Sequence, residues 1–440
     1  MGRQRVSRAS GTPAAVVAEC DVATAIPAIA APRAGIRALV LVRVFTEPIA
    51  VVGLTLPAAG LSAADVARGI VAEAEPQLRE RFEDCGLTWT GELTLAGVTP
   101  PRTPAFLESR ERVVRDGPAM TVAICTHDRP DSLALALRSV CAQSYERLRI
   151  LVVDNAPSDS RTREVVAALA ADHDIDYALE RRPGLSWARN RAIELADGEV
   201  VAWVDDDEYC DAWWASEIAR GFVEVPQADG VTGTVMPSEL ETESQLLFEE
   251  YGSVRRQRGF DRAVFSPATR REQSPLYPLP PFGIGANMAL RRSALERIGG
   301  FDCALGAGTV SRTAEDTAAL SAVLMTGGTL VYQPTAIVHH RNRREQDVLR
   351  DLLIGHGRGL GAFYTSMLLR QPSCITELLA LAPQAIKDQF FRSGRRLGRL
   401  DRSFPRELLW ANRLGLVQGP FVYARARVHA RRLRGIPSIP

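Results

Sequence analysis

Lysine is all but missing from this chain: Lys387 stands alone against 52 arginines in 440 residues, a bias that fits a high-GC genome. Long apolar runs are missing too. The helical candidate Gly359–Leu369 falls short of the ~18 residues a membrane span needs, so the chain reads as soluble or peripheral. The seven cysteines (20, 85, 125, 141, 210, 303 and 374) form no C-x-x-C pair and are odd in number. That fits reduced thiols in a cytoplasmic setting better than a disulfide framework or a zinc site. Residues 1–35 hold Ala, Pro and Arg without a compact apolar segment and cleavage site. They read as a disordered leader and not as a signal peptide. The net charge of +1 leaves the body of the chain without a nucleic-acid signature.

What charge imbalance there is lies at the end. Residues 381–440 hold 13 Lys+Arg and 3 Asp+Glu, an excess of +10, which leaves −9 for the first 380. Such a basic tail suits an anionic surface. Region 345–440 reads as helices punctuated by Pro372, Pro383, Pro405 and Pro420, with Gly355, Gly357, Gly359 and Gly361 permitting close packing. At the other end, residues 36–112 predict a small α+β module. Two β-rich runs, Arg37–Phe45 and Pro48–Leu54, precede a helix opened by Ser62-Ala-Ala-Asp65, with Val66, Ile70, Ala74, Leu78 and Phe82 on one face.

Between them, residues 119–344 alternate strand and helix, predicting an α/β domain with a largely parallel sheet. Its most informative stretch is Val200-Val-Ala-Trp-Val-Asp-Asp-Asp-Glu208. An uninterrupted apolar run reads as a strand buried on both faces, and four carboxylates follow at its C-terminal edge, where ligands of open α/β sheets bind. On an extended chain Asp205 and Asp207 share a side and Asp206 points away. Adjacent like charges repel unless a cation neutralises them, and hard oxygen ligands suit Mg²⁺ or Mn²⁺ completed by phosphate oxygens and water.

Other loops at element ends carry Thr126-His-Asp-Arg-Pro130, Val153-Asp-Asn155, Gly184-Leu-Ser-Trp-Ala-Arg189-Asn190, Gly285-Ala-Asn-Met288, Gly299-Gly-Phe-Asp302 and Ala314-Glu-Asp316. In this order, over about 225 residues, they resemble the family-2 glycosyltransferases, which have the GT-A fold. The flanking extensions are similar to those of some actinobacterial members. The resemblance implies a GT-A-like nucleotide-diphospho-sugar transferase core between the small α+β module and the helical C-terminal region. It implies nucleotide contacts from Thr126, Asp128, Arg129, Asp154, Arg189 and Asp205. Asp207 would ligate Mg²⁺ or Mn²⁺, with His340, the second of an adjacent histidine pair, as a further ligand. Asp316 would be the general base, and Gly285, Asn287 and Glu315 would line the sugar and acceptor. Gly299–Asp302 reads as a structural turn.

The activity so implied is non-processive, inverting, metal-dependent transfer of a sugar from a nucleoside-diphosphate sugar to an acceptor hydroxyl, in cell-surface glycan or glycolipid assembly. The acceptor would be a glycan, a lipid-linked saccharide or a small molecule. The basic tail would make the protein peripheral on the inner face of the cell membrane. Other readings stay open: tailoring of a small natural product, a sugar nucleotidyltransferase (disfavoured because the loop after Cys125 has no glycines), or a non-catalytic scaffold. The alternative for Asp154 is to cap a turn, and for Glu315-Asp316 to serve as helix N-terminal charge.

Overall fold

The computed structural model describes residues 14–252, 259–269, 274–277, 282–395 and 397–436. The chain divides into two compact units: one of residues up to Ala105 with Pro237–Glu250 and Asn342–Gln346, the other of Phe106–Met236, Tyr251–Arg341 and Asp347 onward.

In the first unit, β1 (Ala15–Asp21), β2 (Ile36–Val44) and β3 (Glu47–Leu56) form a sheet in that order, followed by α1 (Ala63–Asp84). β1 overturns the expected leader from residue 15 on, while residues 1–13 lie outside the described residues. This strand runs parallel to β2, pairing Val17 with Leu39 and Cys20 with Val42. Its final Asp21 accepts hydrogen bonds from the amides of Phe45 and Thr46, two residues at positive φ in the tight β2–β3 turn. These partners come from a later segment, so local composition could not reveal the strand. Ser62 and Asp65 form a reciprocal capping box at α1, and Val66, Ile70, Ala74, Leu78 and Phe82 are all buried.

The second unit opens with α2 (Ala105–Asp116), β4 (Met120–Thr126), α3 (Pro130–Cys141), β5 (Leu148–Asn155), α4 (Arg161–Leu169) and β6 (Ile175–Glu180). Next come α5 (Leu185–Leu195), β7 (Val200–Val204), β8 (Glu208–Cys210), α6 (Trp214–Glu224) and β9 (Gly230–Pro237). After α7 (Glu243–Gly252), which lies mostly in the first unit, follow β10 (Ala263–Phe265), β11 (Asn287–Arg291), α8 (Arg292–Ile298), α9 (Glu315–Met325) and β12 (Leu330–His340). Three helices close the chain: α10 (Gln346–Arg370), α11 (Ile375–Phe390) and α12 (Arg406–Leu433).

The central sheet has the order β10-β12-β9-β11-β7-β4-β5-β6, with β8 paired to β12. β4 runs parallel to β5 and β7, and β5 to β6, so the crossovers predicted from sequence build half of the sheet. The other half corrects the expectation of a largely parallel sheet. β11 is antiparallel to β7 and β9, and β12 to β10 and β8. β9, β11 and β12 are buried along nearly their whole length, so their apolar runs look like those of parallel strands and do not reveal the direction.

Alternate residues of the parallel strands feed two cores. Val122, Ile124, Val152, Ala202 and Val204 pack with Leu133, Leu137, Ile218 and Phe222 on one face. Ala123, Leu151, Val153, Val201 and Trp203 pack with Ala188, Ala192, Leu320 and Val323 on the other. Burial on both faces explains why β7 has no polar alternation. In the helical region, a Cβ on Gly357 would lie 2.0 Å from the Asn412 carbonyl oxygen, so only glycine lets α10 and α12 approach this closely. Gly299 and Gly300, both at positive φ, end α8, and Asp302 accepts hydrogen bonds from Ser366 and Tyr423, tying α10 and α12 to that turn.

Candidate active site

The C-terminal ends of β4, β5 and β7 lie side by side, because the ladder register sets Thr126 opposite Asp154 and places β7 along β4's other edge. Asp154 is fully buried. One carboxylate oxygen accepts from the Tyr177 hydroxyl at 2.8 Å, while Oδ1 has no partner among the described residues. Burial raises its pKa above the usual carboxylate value. Next to it Asn155 donates to the Arg182 carbonyl and accepts from the Gly184 amide, both at 2.8 Å, so this side chain fixes the loop into α5. In the loop after β4, Asp128 has φ +54° and accepts from the Ser158 amide at 2.9 Å. His127 Nδ1 lies 2.7 Å from the Asn155 carbonyl oxygen.

After β7 the chain turns at once. The Glu208 amide donates to the Asp205 carbonyl at 3.2 Å, and the Asp205 amide donates to Glu208 Oε2 at 3.0 Å. This turn corrects the extended-chain alternation expected for the three aspartates. Asp206 does not point away. It is 6% exposed, accepting from Thr126 Oγ1 at 2.7 Å and from Arg129 at 2.9 Å. Arg129 also donates to Asp207 at 3.0 Å, so a single guanidinium bridges two consecutive carboxylates.

Arg189, on the first turns of α5, is 1% exposed. It donates to Glu315 at 3.0 Å and to Asp205 and the Gly285 carbonyl at 3.3 Å each. Its guanidinium is thus held by two carboxylates and a backbone carbonyl, in a buried position behind the surface where a nucleotide contact was expected. Glu315, expected beside the sugar and acceptor, is 6% exposed and turned toward Arg189. Burial, opposed by Arg189, pushes its pKa up to about 7. Asp316 is more open, and both its oxygens are oriented: Oδ2 accepts from the Gly285 amide at 2.5 Å and Oδ1 from the Thr317 amide at 2.6 Å. A Cβ on Gly285 would lie 2.5 Å from that of Asp316, so the carboxylate needs glycine opposite it.

Asn287 is a clear correction. It is fully buried, its amide donates to the Thr234 and Ala336 carbonyls at 2.9 Å each, and its oxygen accepts from the Trp214 indole at 2.9 Å. It clamps β9, β12 and α6 around β11 and leaves nothing for a sugar. At the end of β12 the histidine pair divides: His339 stacks on Tyr209 with ring centroids 4.7 Å apart, whereas His340 Nε2 lies 3.4 Å from Asp207 Oδ1.

The structure therefore joins Asp316, Gly285, Arg189 and Asp205 by hydrogen bonds, and the turn continues them to Asp207, Arg129 and His340. Thr126 and Asp154 border this network, while Glu315 stands behind it and Asn287 outside it. Two contributors escaped the sequence reading. Tyr177 orients Asp154. Glu208 is 2% exposed, with Oε1 lacking a partner among the described residues and a pKa raised well above the usual value by burial and by Asp205. The signal for Glu208 was its place as the fourth carboxylate after β7; nothing marked Tyr177. Asp205, lifted to about 6 by burial against the pull of Arg189, and Asp206, raised by burial against Arg129, complete a cluster short of positive charge.

A divalent cation fits that deficit. The Asp207 and His340 donor atoms are close enough to share an ion, in chemistry suited to Mg²⁺ or Mn²⁺. Among the described residues no three His, Cys, Asp or Glu side chains form a complete metal-holding group. Oxygens of a phosphate and water would have to fill the remaining positions.

Residues 121–299 match the family described as "Glycosyl transferase family 2". The chain is 25% identical over 226 residues to the glucosyl-dolichyl phosphate glucuronosyltransferase of Haloferax volcanii, covering 50% of this chain and 69% of that protein. It is 27% identical over 226 residues to the succinoglycan biosynthesis protein ExoM of Rhizobium meliloti, covering 50% and 65%. Among solved structures, the mannosyltransferase PcManGT from Pyrobaculum calidifontis, in complex with GDP-Man and Mn²⁺, aligns with a TM-score of 0.43 at 18% identity, over 76% of this chain and 84% of that one.

Proposed function

We propose that this chain, which carries a family-2 glycosyltransferase domain over residues 121–299, transfers a sugar from a nucleoside-diphosphate sugar to a hydroxyl of a lipid-linked saccharide in cell-surface glycan or glycolipid assembly. The observation that carries the donor half is the buried Asp154 Oδ1, without a partner among the described residues, beside an acid-lined turn short of positive charge. A nucleobase N–H would satisfy that oxygen, with the Thr126–Arg129 loop beneath the nucleoside. The acceptor half rests on relatives whose names place them on a dolichyl-phosphate-linked sugar and in succinoglycan biosynthesis.

Asp207 and His340 would hold a Mg²⁺ or Mn²⁺ ion, which when bound offsets negative charge on the diphosphate leaving group. Asp205 would face the ribose, and Arg189 supports the site from behind by balancing Asp205 and Glu315. As the acceptor oxygen attacks the anomeric carbon, its bond forms while the bond to the diphosphate oxygen breaks. Asp316 takes the acceptor's proton, held in position by the Gly285 and Thr317 amides. One displacement inverts the anomeric configuration, so a single base is needed where glycosidases use two acids. The test is a screen of nucleotide sugars for transfer to prenyl-phosphate-linked saccharides, with the anomeric configuration of the product read by NMR. Transfer with retention overturns the single-displacement reading, and the absence of any nucleotide-sugar turnover or binding overturns the donor assignment.

A further inference from the structure

α12 (Arg406–Leu433) has two opposite characters. Leu408, Ala411, Asn412, Gly415, Gly419, Tyr423, Ala426 and Ala430 are buried on one side. Trp410, Leu414, Val417, Phe421 and Val428 are each 51–78% exposed. At about 100° per residue these five fall within roughly 40° of one direction, facing away from the buried set, and they run about 27 Å along the axis. Flanking this stripe are Arg406, Arg413, Arg425, Arg431 and Arg432, while the helix carries one acid, Glu407, in its first turn. At the N-terminal end the stripe meets exposed Phe390 of α11, where the Arg413 guanidinium lies over the Phe390 and Trp410 rings at 4.6 and 4.8 Å. A cavity of about 190 Å³ opens there, walled by Arg392, Arg406 and Arg413 together with Phe390, Phe404 and Trp410.

An apolar stripe bordered by cations, with no acid beyond the first turn, fits a surface that is apolar within and anionic at its face. We propose that the outer face of α12 docks on an anionic phospholipid bilayer. Trp410, Leu414, Val417, Phe421 and Val428 enter the headgroup boundary, and the arginines and the cavity mouth meet lipid phosphates. Interfacial helices of this make lie in the membrane plane. Among the described residues no helix is long and apolar enough to cross a membrane, so α12 lies on the bilayer without spanning it. A second copy of this face is a poorer occupant, because its arginines would meet their own kind. The inference stands on surface chemistry and does not depend on the transfer reaction.

The test is vesicle flotation of the full chain at low and high salt, using phosphatidylcholine vesicles with and without phosphatidylglycerol. Point variants are required, because truncating α12 would remove the buried Tyr423 and Ala426. Wild type should float with the anionic vesicles at low salt and fall away as salt rises. Arg425→Gln/Arg431→Gln/Arg432→Gln should weaken binding roughly 100-fold, from about 1 kcal/mol per basic residue. Val417→Ser/Phe421→Ser should weaken it at least about tenfold with unchanged circular dichroism and melting, since both side chains are exposed. No flotation of wild type with anionic vesicles overturns the proposal, as does binding that ignores either variant. Equal, salt-insensitive binding to neutral vesicles also overturns it. A lipid-free dimer dissolved by Val417→Ser/Phe421→Ser would show that the occupant is a second copy, and would overturn it too.

Discussion

Replacing Arg189 by methionine keeps most of the side chain's length and removes its charge, which leaves Glu315 as a buried acid with its main counter-charge gone. Glu315 has its usual 4.5 raised to about 7 with Arg189 present, burial being the larger cause. The sign follows from proton counting. Between pH 4.5 and 7 the unfolded chain has lost this proton and the folded one keeps it, so stability falls as pH rises, by up to about 3 kcal/mol at ~1.4 kcal/mol per pH unit, and levels off above 7. Without Arg189 the folded pKa moves higher still, and the decline continues past pH 7. The variant should therefore unfold more easily than wild type by an amount that is small at pH 6 and grows by ~1.4 kcal/mol per unit, reaching about 2–3 kcal/mol at pH 9. Asp205 is a third exposed and adds less. The assay is urea unfolding of both proteins at pH 6, 7, 8 and 9 in chelator-containing buffer, comparing midpoints at matched slopes. A stability difference that stays constant across this range would refute the Arg189–Glu315 coupling. A variant as stable as wild type at every pH, yet unable to bind nucleotide, would show that Arg189 serves the donor directly.

Asp316→Asn keeps the shape but accepts no proton, so kcat should drop by roughly 10²–10⁴ while donor affinity measured by calorimetry persists; near-normal turnover would remove Asp316 from the mechanism. Asp207→Ala should lower metal-stimulated donor hydrolysis at least ~10–100-fold, with His340→Ala weakening Mn²⁺ binding in the same direction. Asn287→Ala strands the Trp214 indole and two buried carbonyls, and should cost several kcal/mol, at about 1–3 kcal/mol for each unsatisfied group. A stable Asn287→Ala protein with altered acceptor preference would return that residue to the acceptor wall.

Much of the candidate site was legible because its residues cluster at strand ends. Asp154, Asp205, Asp207 and Asp316 follow apolar runs or open a helix, and a strand buried on both faces leaves a strong trace in composition. That at most one of His339 and His340 faces the acids was also legible, since neighbours on a strand face opposite ways; which one does so came from the structure, where His339 stacks on Tyr209 and His340 lies beside Asp207. The faults arose where a role depends on partners distant in sequence. Asn287 resembled a site residue but clamps strands 49 and 53 positions away. Asp206 was set aside by an alternation that the Asp205–Glu208 turn abolishes.

The sequence by itself determined most of the buried segments, that acids gather after β7, that Ser62 caps α1, that residues 381–440 are basic, and that the glycines from 355 to 361 permit close packing. Each of these follows from local chemistry: hydropathy, side-chain length, capping and charge. Only the tertiary structure decided which acid is paired with which base. Arg189 could reach Asp205 and Glu315 because α5, β7 and α9 converge, although 126 positions separate Arg189 from Glu315. It also decided that Ala15–Asp21 is a strand, since its hydrogen bonds come from β2. Strand direction and ion pairing are set by which surfaces meet, and a one-dimensional pattern of residue types does not contain that information.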